Sequence, residues 1–192
     1  MHYPMEILPE IQNRKSVIVF EDREVEKEKI DLLIEAARWA PSCFNNQEWN
    51  YVFVGKSDAT RRELDGALNI GNGWAKSAPY LVAVAADPEK GCNTNGIPYY
   101  AYDLGLSVMN LVIEAEHQGL RVHQMAGYNE SKVKKALYFP EDFRVVVLFA
   151  VGYEGDVERV QDKLMDKIKE KITRARTRKN PEENFFFGKY EI

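Results

Sequence analysis

Residues 144–151 read RVVVLFAV, an unbroken run of apolar side chains after the first arginine. A strand with one face in water alternates apolar and polar residues, so this run predicts a strand buried on both faces. Residues 50–55 (NYVFVG) and 79–86 (PYLVAVAA) are also short, apolar and bounded by turn residues. The three segments predict the centre of a sheet with helices on both sides.

Helical patterns alternate with these strands. The longest covers about 98–118, where one apolar stripe recurs at helical spacing and Gly119 stands in the position of a left-handed cap. A short strand-like piece follows at 120–125. Four further helices are predicted, over 28–39, over 57–69 with Ser57 as its cap, from Asn129 to 137, and over the charged segment 157–173. The alternation predicts an α/β (α+β) fold with three layers.

The composition excludes several classes of protein. The chain has 192 residues, of which 45% are hydrophobic and 29% charged, so it can form one sizeable core and is no disordered polyelectrolyte. Its formal net charge of −4 argues against a nucleic-acid partner. The apolar runs are far shorter than the ~20 residues that a membrane span needs.

The two cysteines, Cys43 and Cys92, are too few for a disulfide framework or a metal cage. We therefore expect no metal, a reduced compartment and a cytoplasmic location. Cys43 is interpreted as a small packing residue, because free cysteine is usually a buried hydrophobe.

Two segments fall outside the alternating pattern. Residues 87–97 form a long polar loop, which is a candidate lid. Residues 174–192 begin basic and end aromatic, with three consecutive phenylalanines at 185–187. We expect a domain over 1–173 and a C-terminal arm over 174–192 that packs on a partner subunit, because exposed phenylalanines would form an apolar patch. The alternative is a tail that folds back on its own domain.

Two polar stretches are candidates for chemistry. Arg14, Lys15 and Ser16 place two cations and a hydroxyl in a row, which suits a phosphate, although a short basic run is more often a solvated helix end. The segment 40–49 (APSCFNNQEW) crowds neutral hydrogen-bonding groups into one turn after Pro41. Such groups suit a planar heteroaromatic, and the alternative is an ordinary capping turn.

Taken together, the two stretches resemble the start of the FMN-dependent nitroreductase family, in which R-R-S-x-R-x-F is followed by A-P-S-x-x-N-x-Q-P-W. The likeness continues at 76–79 (KSAP), at 103–105 (DLG) and at a turn centred on Gly127. It ends with 151–153 (VGY) and a basic stretch before Pro181. It therefore covers nearly the whole chain in the right order.

The resemblance implies a homodimer with an antiparallel-rich central sheet between helices, an arm exchanged between subunits, and two FMN molecules in the interface. One subunit would supply Arg14, Lys15 and Ser16 to the phosphate and the pyrimidine side of the ring. The other would bring Pro41, Ser42 and Asn45 to the flavin. Further contacts are implied from the backbone of Ala126 and Gly127 and from Lys179, with Arg178 as its rival and Asn72 as a weaker candidate.

The activity implied by the resemblance is hydride transfer from NAD(P)H through FMN to a nitroaromatic, a quinone or an activated alkene, in ping-pong order. No catalytic side chain is assigned, because solvent can supply the protons. Two alternatives keep the same scaffold: a flavin store or sensor, and an enzyme that fragments reduced flavin.

Three residues qualify the resemblance. Lys15 replaces the commoner arginine, so a compact ammonium charge stands in place of a planar, bidentate guanidinium. Glu48 stands where the family often has proline, and we expect its carboxylate to repel anionic substrates. His123 is expected either to line the site or to pack in the core.

Overall fold

The computed structural model describes residues 6–158 and 175–190. The chain divides into two compact units, Met1–Glu158 and Arg159–Ile192. The strands described in the first unit are β1 (Trp49–Gly55), β2 (Tyr80–Ala86), β3 (Asn93–Thr94), β4 (Ile97–Pro98), β5 (Arg121–Met125) and β6 (Arg144–Gly152). Its helices are α1 (Pro9–Asn13), α2 (Lys27–Arg38), α3 (Arg61–Asp65), α4 (Tyr100–His117) and α5 (Glu130–Leu137).

The main sheet has the strand order β1-β2-β6-β5, and every neighbouring pair is antiparallel. Strands β2 and β6 are central, as their unbroken apolar runs predict, and five successive residues of β6 from Leu148 to Gly152 are buried. Strands β1 and β5 form the two edges. The remaining two strands, β3 and β4, form a separate small hairpin.

Helices cover both faces of this sheet. Helices α2 and α4 pack on the face that contains Val82, Val84 and Phe149. On the opposite face, Leu81 and Leu148 lie in a second cluster with residues of α3, α5 and a 3-10 segment over Ile70–Ser77. The prediction of three layers is confirmed. Among the described residues, no helix is long and apolar enough to cross a membrane.

The helix predicted over 57–69 is wrong in extent. Helix α3 spans only Arg61–Asp65, and its N-cap is Thr60 rather than Ser57. The Asp58 carboxylate accepts a hydrogen bond from the Gly55 amide, which closes a turn where the helix was expected to begin. From Ile70 to Ser77 the chain has 3-10 geometry. The helix predicted over 157–173 lies outside the described residues from 159 onward.

The polar loop at 87–97 contains the β3–β4 hairpin. Its turn is formed by Asn95 and Gly96, which both have positive φ, at 56° and 75°. This pair is typical of the tightest hairpin turns, because neither residue pays the full steric cost of a left-handed backbone. We call residues 87–98 the hairpin loop.

The second unit is described over 175–190. A single 3-10 turn, Pro181–Glu183, is closed by reciprocal hydrogen bonds between Asn180 and Glu183. The rings of Phe186 and Tyr190 meet edge to face, with centroids 4.8 Å apart. Phe187 is 100% exposed in the single chain, so the expected burial of the phenylalanines against a partner stays a prediction.

Arg61 is a charged residue in the core, only 5% exposed. Its guanidinium donates to four backbone carbonyls and to the Asp65 carboxylate, 3.0 Å away. The accepting carbonyls belong to Val54, Lys76, Ala78 and Pro79. Arg61 thereby ties the end of β1 to the segment that leads into β2.

Replacing Arg61 with alanine would leave these carbonyls buried without a donor, so Arg61→Ala is expected to lower the free energy of unfolding by about 3–5 kcal/mol. Urea denaturation measures this. Arg62→Ala is the matched control, since Arg62 is exposed and its loss should change stability by less than about 0.5 kcal/mol. Equal effects of the two substitutions would contradict the assigned role of Arg61.

Candidate functional site

The first group of predicted residues lies beside strand β5. Arg14 ends helix α1, and its amide donates to the Glu10 carbonyl at 3.1 Å. Three residues later, the Val17 carbonyl accepts a hydrogen bond from His123 Nδ1 at 2.7 Å, which fixes the 14–17 segment against β5. Arg14 and Lys15 are half-buried, and Ser16 is exposed.

Lys15 belongs to a chain of alternating charges. Its Nζ lies 2.6 Å from Glu154, and Glu154 also accepts from Arg121 Nε at 3.1 Å. Arg121 in turn pairs with Glu116 in the last turn of α4, at 2.8 Å. Both partners of the Lys15–Glu154 pair remain partly exposed, so an incoming anion can compete for the lysine.

Ala126 and Gly127 directly follow β5. The Gly127 carbonyl accepts from the Asn69 amide at 3.0 Å and from Asn72 Nδ2 at 2.9 Å. An added Cβ at position 127 would lie 2.7 Å from Asn72 Nδ2, so a side chain there would displace this amide from the Gly127 carbonyl. Asn72 therefore supports the backbone that the family resemblance assigns to the flavin.

An aromatic contact connects the two parts of this group. The indole of Trp74 lies against the His123 imidazole with ring centroids 4.3 Å apart, and on its other side it approaches Phe20. His123 thus both packs against Trp74 and holds the 14–17 segment. Arg14, Lys15, Ser16, Ala126 and Gly127 form what we call the β5 group.

The second group lies in the turn between α2 and β1, residues 41–47, which we call the α2–β1 turn. Three of its non-glycine residues have a left-handed backbone: Phe44 at φ 50°, Asn45 at 60° and Gln47 at 49°. Such conformations cost of order 1 kcal/mol each and persist only where the surroundings hold them. Ser42 Oγ accepts from the Gln47 amide at 3.0 Å, and Phe44 is 93% exposed.

Contacts from outside hold this turn in place. The buried carboxylate of Asp103, in the first turn of α4, accepts from the Cys43 amide at 2.9 Å. Asn46 Nδ2 donates to the Lys90 carbonyl in the hairpin loop, also at 2.9 Å.

Cys43 and Cys92 form a disulfide, which corrects the interpretation of Cys43 as a free packing residue. The two residues are 49 positions apart in sequence, but the hairpin loop folds back and brings their Cα atoms within 6.1 Å. Composition and spacing gave no indication of this approach. The α2–β1 turn is therefore covalently joined to the hairpin loop.

Glu48, whose carboxylate we expected to repel anionic substrates, is only 3% exposed, so it is not positioned to do so. Neither of its oxygens has a hydrogen-bond partner among the described residues. Burial raises the pKa of Glu48, and the neighbouring Asp103 carboxylate raises it further. The hairpin loop covers the Glu48 carboxylate at Gly91. An added Cβ on Gly91 would lie 2.8 Å from Tyr100 Cβ and 3.3 Å from the carboxylate.

Lys15 and the α2–β1 turn connect to opposite ends of helix α4. The β5 group connects to its last turn, through Lys15, Glu154, Arg121 and Glu116. The α2–β1 turn connects to its first turn through Asp103. Thirteen residues separate Asp103 from Glu116 on this helix, which corresponds to about 20 Å. One chain therefore presents two separate half-sites.

The remaining predicted residue, Lys179, lies with its rival Arg178 in the second unit, and both are exposed. Asp103, Cys92 and Trp74 were not among the predicted site residues. Each reaches its group through a contact between distant segments, such as the 60 residues that separate Cys43 from Asp103. The replacement of the family's frequent proline by Glu48 was the signal in the sequence that pointed to this position.

Comparison with known proteins identifies the class. The model of the nitroreductase family matches residues 11–72 and 66–153, which is most of the chain. The protein belongs to the nitroreductase family.

Individual relatives agree with this. A protein from Archaeoglobus fulgidus, provisionally named NADH dehydrogenase/NAD(P)H nitroreductase, is 27% identical over 157 residues, which cover 79% of this chain and 87% of the relative. The crystal structure of a nitroreductase family protein from Clostridium novyi NT, 27% identical, superimposes with a TM-score of 0.73 over 80% of this chain and 88% of that one. An oxidoreductase containing FMN shares the fold at a TM-score of 0.84 and 23% identity, over 99% of this chain and 96% of the other.

The raised pKa of Glu48 predicts that the stability of the fold depends on pH. An acid whose pKa is raised on folding loses stability as pH rises from its ordinary value, 4.5, through the raised one. Glutamine cannot ionise, so at pH 8 the free energy of unfolding of Glu48→Gln should be about 1 kcal/mol higher than that of the natural protein. This gain in stability should vanish near pH 4. Denaturant titrations at several pH values measure this.

Glu89→Gln, an exposed carboxylate in the same hairpin loop, is the control and should show no such trend. A stability difference for Glu48→Gln that stays constant between pH 4 and pH 8 would refute the buried, proton-binding role.

Proposed function

We propose that this protein is an FMN-dependent NAD(P)H oxidoreductase whose active site is completed by a second copy of the chain. The observation that carries the proposal is that Lys15 and the α2–β1 turn are connected to points about 20 Å apart along α4. In a symmetric dimer, the β5 group of one subunit can face the α2–β1 turn of the other.

The donors present fit FMN. The phosphate carries close to two negative charges at neutral pH, and Arg14, Lys15 and Ser16 supply two cations and a hydroxyl from one short segment. The isoalloxazine ring needs neutral donors and acceptors, which Ser42 and Asn45 provide in the exposed α2–β1 turn. In a chain of net charge −4, such local concentrations of cations are the feature that attracts an anionic cofactor.

Each residue has a definite task in this proposal. FMN supplies the capacity to take up a hydride from NAD(P)H and deliver it to an oxidised acceptor. Lys15 would exchange its contact with Glu154 for the pyrimidine side of the ring and stabilise negative charge there. The amides of Ala126 and Gly127 would serve the ring edge, on a backbone held by the contacts of Asn69 and Asn72 to the Gly127 carbonyl. Lys179 would supply a further cation to the phosphate.

The turnover that we propose is ping-pong. NAD(P)H and the acceptor use the same open slot in succession, and solvent supplies protons. The acceptors are nitroaromatics, quinones or activated alkenes. A cytoplasmic location fits the need for a steady supply of NAD(P)H.

Exposed apolar side chains on α2 and α4 support the dimer. Trp39 is 73% exposed, and Ile34, Tyr102 and Met109 are also well exposed although large and apolar. They lie on α4 and on or directly after α2, two helices that pack against each other, and exposed apolar side chains of this kind are stabilised when another subunit covers them.

Anaerobic titration tests the function. The purified protein should bind FMN and turn yellow, and NADH or NADPH should bleach the colour under anaerobic conditions. Intact FMN should return on aeration or on addition of a quinone. Bleaching without recovery of intact FMN would favour the flavin-fragmenting alternative, and a yellow protein that NAD(P)H does not bleach would favour the flavin store or sensor. A protein that takes up no FMN would refute the proposal.

Arg14→Ala should weaken FMN binding by about 2–4 kcal/mol, because a phosphate charge at this position would lose its partner. Quenching of flavin fluorescence measures the dissociation constant. Arg62→Ala removes one positive charge from an exposed position on α3 and should leave the constant unchanged. Unaltered affinity in Arg14→Ala would show that Arg14 is not at the phosphate.

Deleting residues 184–192 should weaken the dimer, because we propose that the arm carries its phenylalanines onto the partner subunit. Sedimentation velocity over a dilution series measures the dimer dissociation constant. A truncated chain that remains as tight a dimer as the full chain would instead favour an arm that packs on its own domain.

A further inference from the structure

The disulfide is the strongest link between the α2–β1 turn and the hairpin loop. Both cysteines are half-buried, so neither residue lies in the core. The chain contains only these two cysteines, so any thiol reagent acts at this one pair. Asn46 of the turn adds polar contacts to this loop, since its Nδ2 donates to the Lys90 carbonyl at 2.9 Å and lies 3.9 Å from Cys92 Sγ.

The turn needs such a link because its backbone is strained. Phe44, Asn45 and Gln47 all have positive φ, within four residues. A backbone of this kind relaxes when its constraints are removed. The Asp103 carboxylate fixes the Cys43 amide at one end, and the Ser42 hydroxyl accepts from Gln47 at the other. The disulfide acts at the first of these anchors, where it fixes Cys43 directly before Phe44 and Asn45.

The hairpin loop cannot replace the disulfide by packing alone. Residues 93–98 are all exposed, and the strands β3 and β4 are two residues long. Such a small hairpin buries too little apolar surface to hold a position by itself. The Tyr99 amide donates to the Cys92 carbonyl at 2.8 Å, which anchors the base of the loop at the start of α4.

We propose that Cys43 and Cys92 form a reversible thiol–disulfide site, and that its oxidised state holds the α2–β1 turn in the shape that binds flavin. This inference rests on the proposed function for its flavin part. The chemical class of the reductant is a dithiol. In a reducing compartment a disulfide is usually transient, catalytic or redox-sensing rather than structural.

The exchange is balanced in atoms and electrons. A thiolate of the dithiol attacks one sulfur of the Cys43–Cys92 bond, which breaks and leaves a mixed disulfide. The second thiol of the donor then displaces the remaining cysteine. Two electrons pass to the protein, its two sulfurs each take a proton, and the donor becomes a cyclic disulfide.

Reduction should weaken flavin binding. The reduced turn populates other backbone conformations, so FMN binds only to the fraction of molecules that still have the competent shape. The apparent dissociation constant rises in proportion. We expect about a tenfold increase, within the range typical of two coupled sites.

The test compares the oxidised and dithiothreitol-reduced forms of the full-length protein, with the thiol content of each form counted chemically. Two readouts are taken: the FMN dissociation constant by fluorescence, and the hydrogen exchange of the Cys43 and Gln47 amides without FMN. Reduction should raise both the constant and the exchange rates. The double variant Cys43→Ser, Cys92→Ser should match the reduced form in FMN affinity and amide exchange, and dithiothreitol should not change either. Asn46→Ala, which loses the side-chain contacts with Lys90 and Cys92 but keeps both cysteines, should remain sensitive to dithiothreitol.

The outcomes separate the two proposals. Equal FMN affinity in both forms, with FMN clearly bound, would overturn the redox site and leave the proposed function intact. Failure of both forms to bind FMN would overturn the proposed function, and unchanged amide exchange in the same samples would overturn the holding role of the disulfide as well. A protein whose two thiols cannot be oxidised to a disulfide would also overturn the inference.

Discussion

Leu104, Val108, Leu111 and Ala115 bury one stripe of helix α4 against the sheet, where they meet Val84 and Phe149. This packing sets the position and direction of an 18-residue helix, about 27 Å long. The segment that carries Arg14 is connected to its last turn, and the α2–β1 turn to its first. Because a buried helix is rigid, the two half-sites keep a fixed separation.

The fixed separation makes association with a second chain a requirement of the proposed function rather than an addition to it. Neither half-site has everything that a flavin needs. The β5 group has cations and backbone amides, and the α2–β1 turn has neutral polar groups and an exposed aromatic side chain, Phe44. In this account, the same apolar surface of α2 and α4 that drives dimerisation also brings the complementary halves together.

Local patterns were sufficient for most of the fold. The strands at β2 and β6 and the helix at α4 were predicted from hydrophobic periodicity, because burial acts on side chains that recur at fixed spacing. Gly119, with φ of 74°, ends α4 as predicted. Asn129 likewise caps α5 by accepting from the Lys132 amide. The helix expected at 57–69 failed because the Asp58 carboxylate formed a local turn that competes with helix initiation.

The candidate site was predictable in part, through residues that belong to a recognisable family pattern. What sequence reasoning missed depends on contacts between distant segments. The Cys43–Cys92 disulfide and the Asp103 contact join positions 49 and 60 residues apart, and no local rule indicates either. The burial of Glu48 was missed for the same reason, since the hairpin loop that covers it comes more than forty positions later.

Mixing two defective chains tests the shared site most directly. Arg14→Ala impairs one half-site, and Asn45→Gly removes the other half-site's amide while tolerating its left-handed backbone. Equal amounts of the two variants are dissociated, allowed to reassociate and assayed for high-affinity FMN sites. If each site uses both subunits, mixed dimers contain one intact site, and about one quarter of all sites should recover. Recovery of none, with mixed dimers shown to form, would place Arg14 and Asn45 in the site of a single chain and contradict the account.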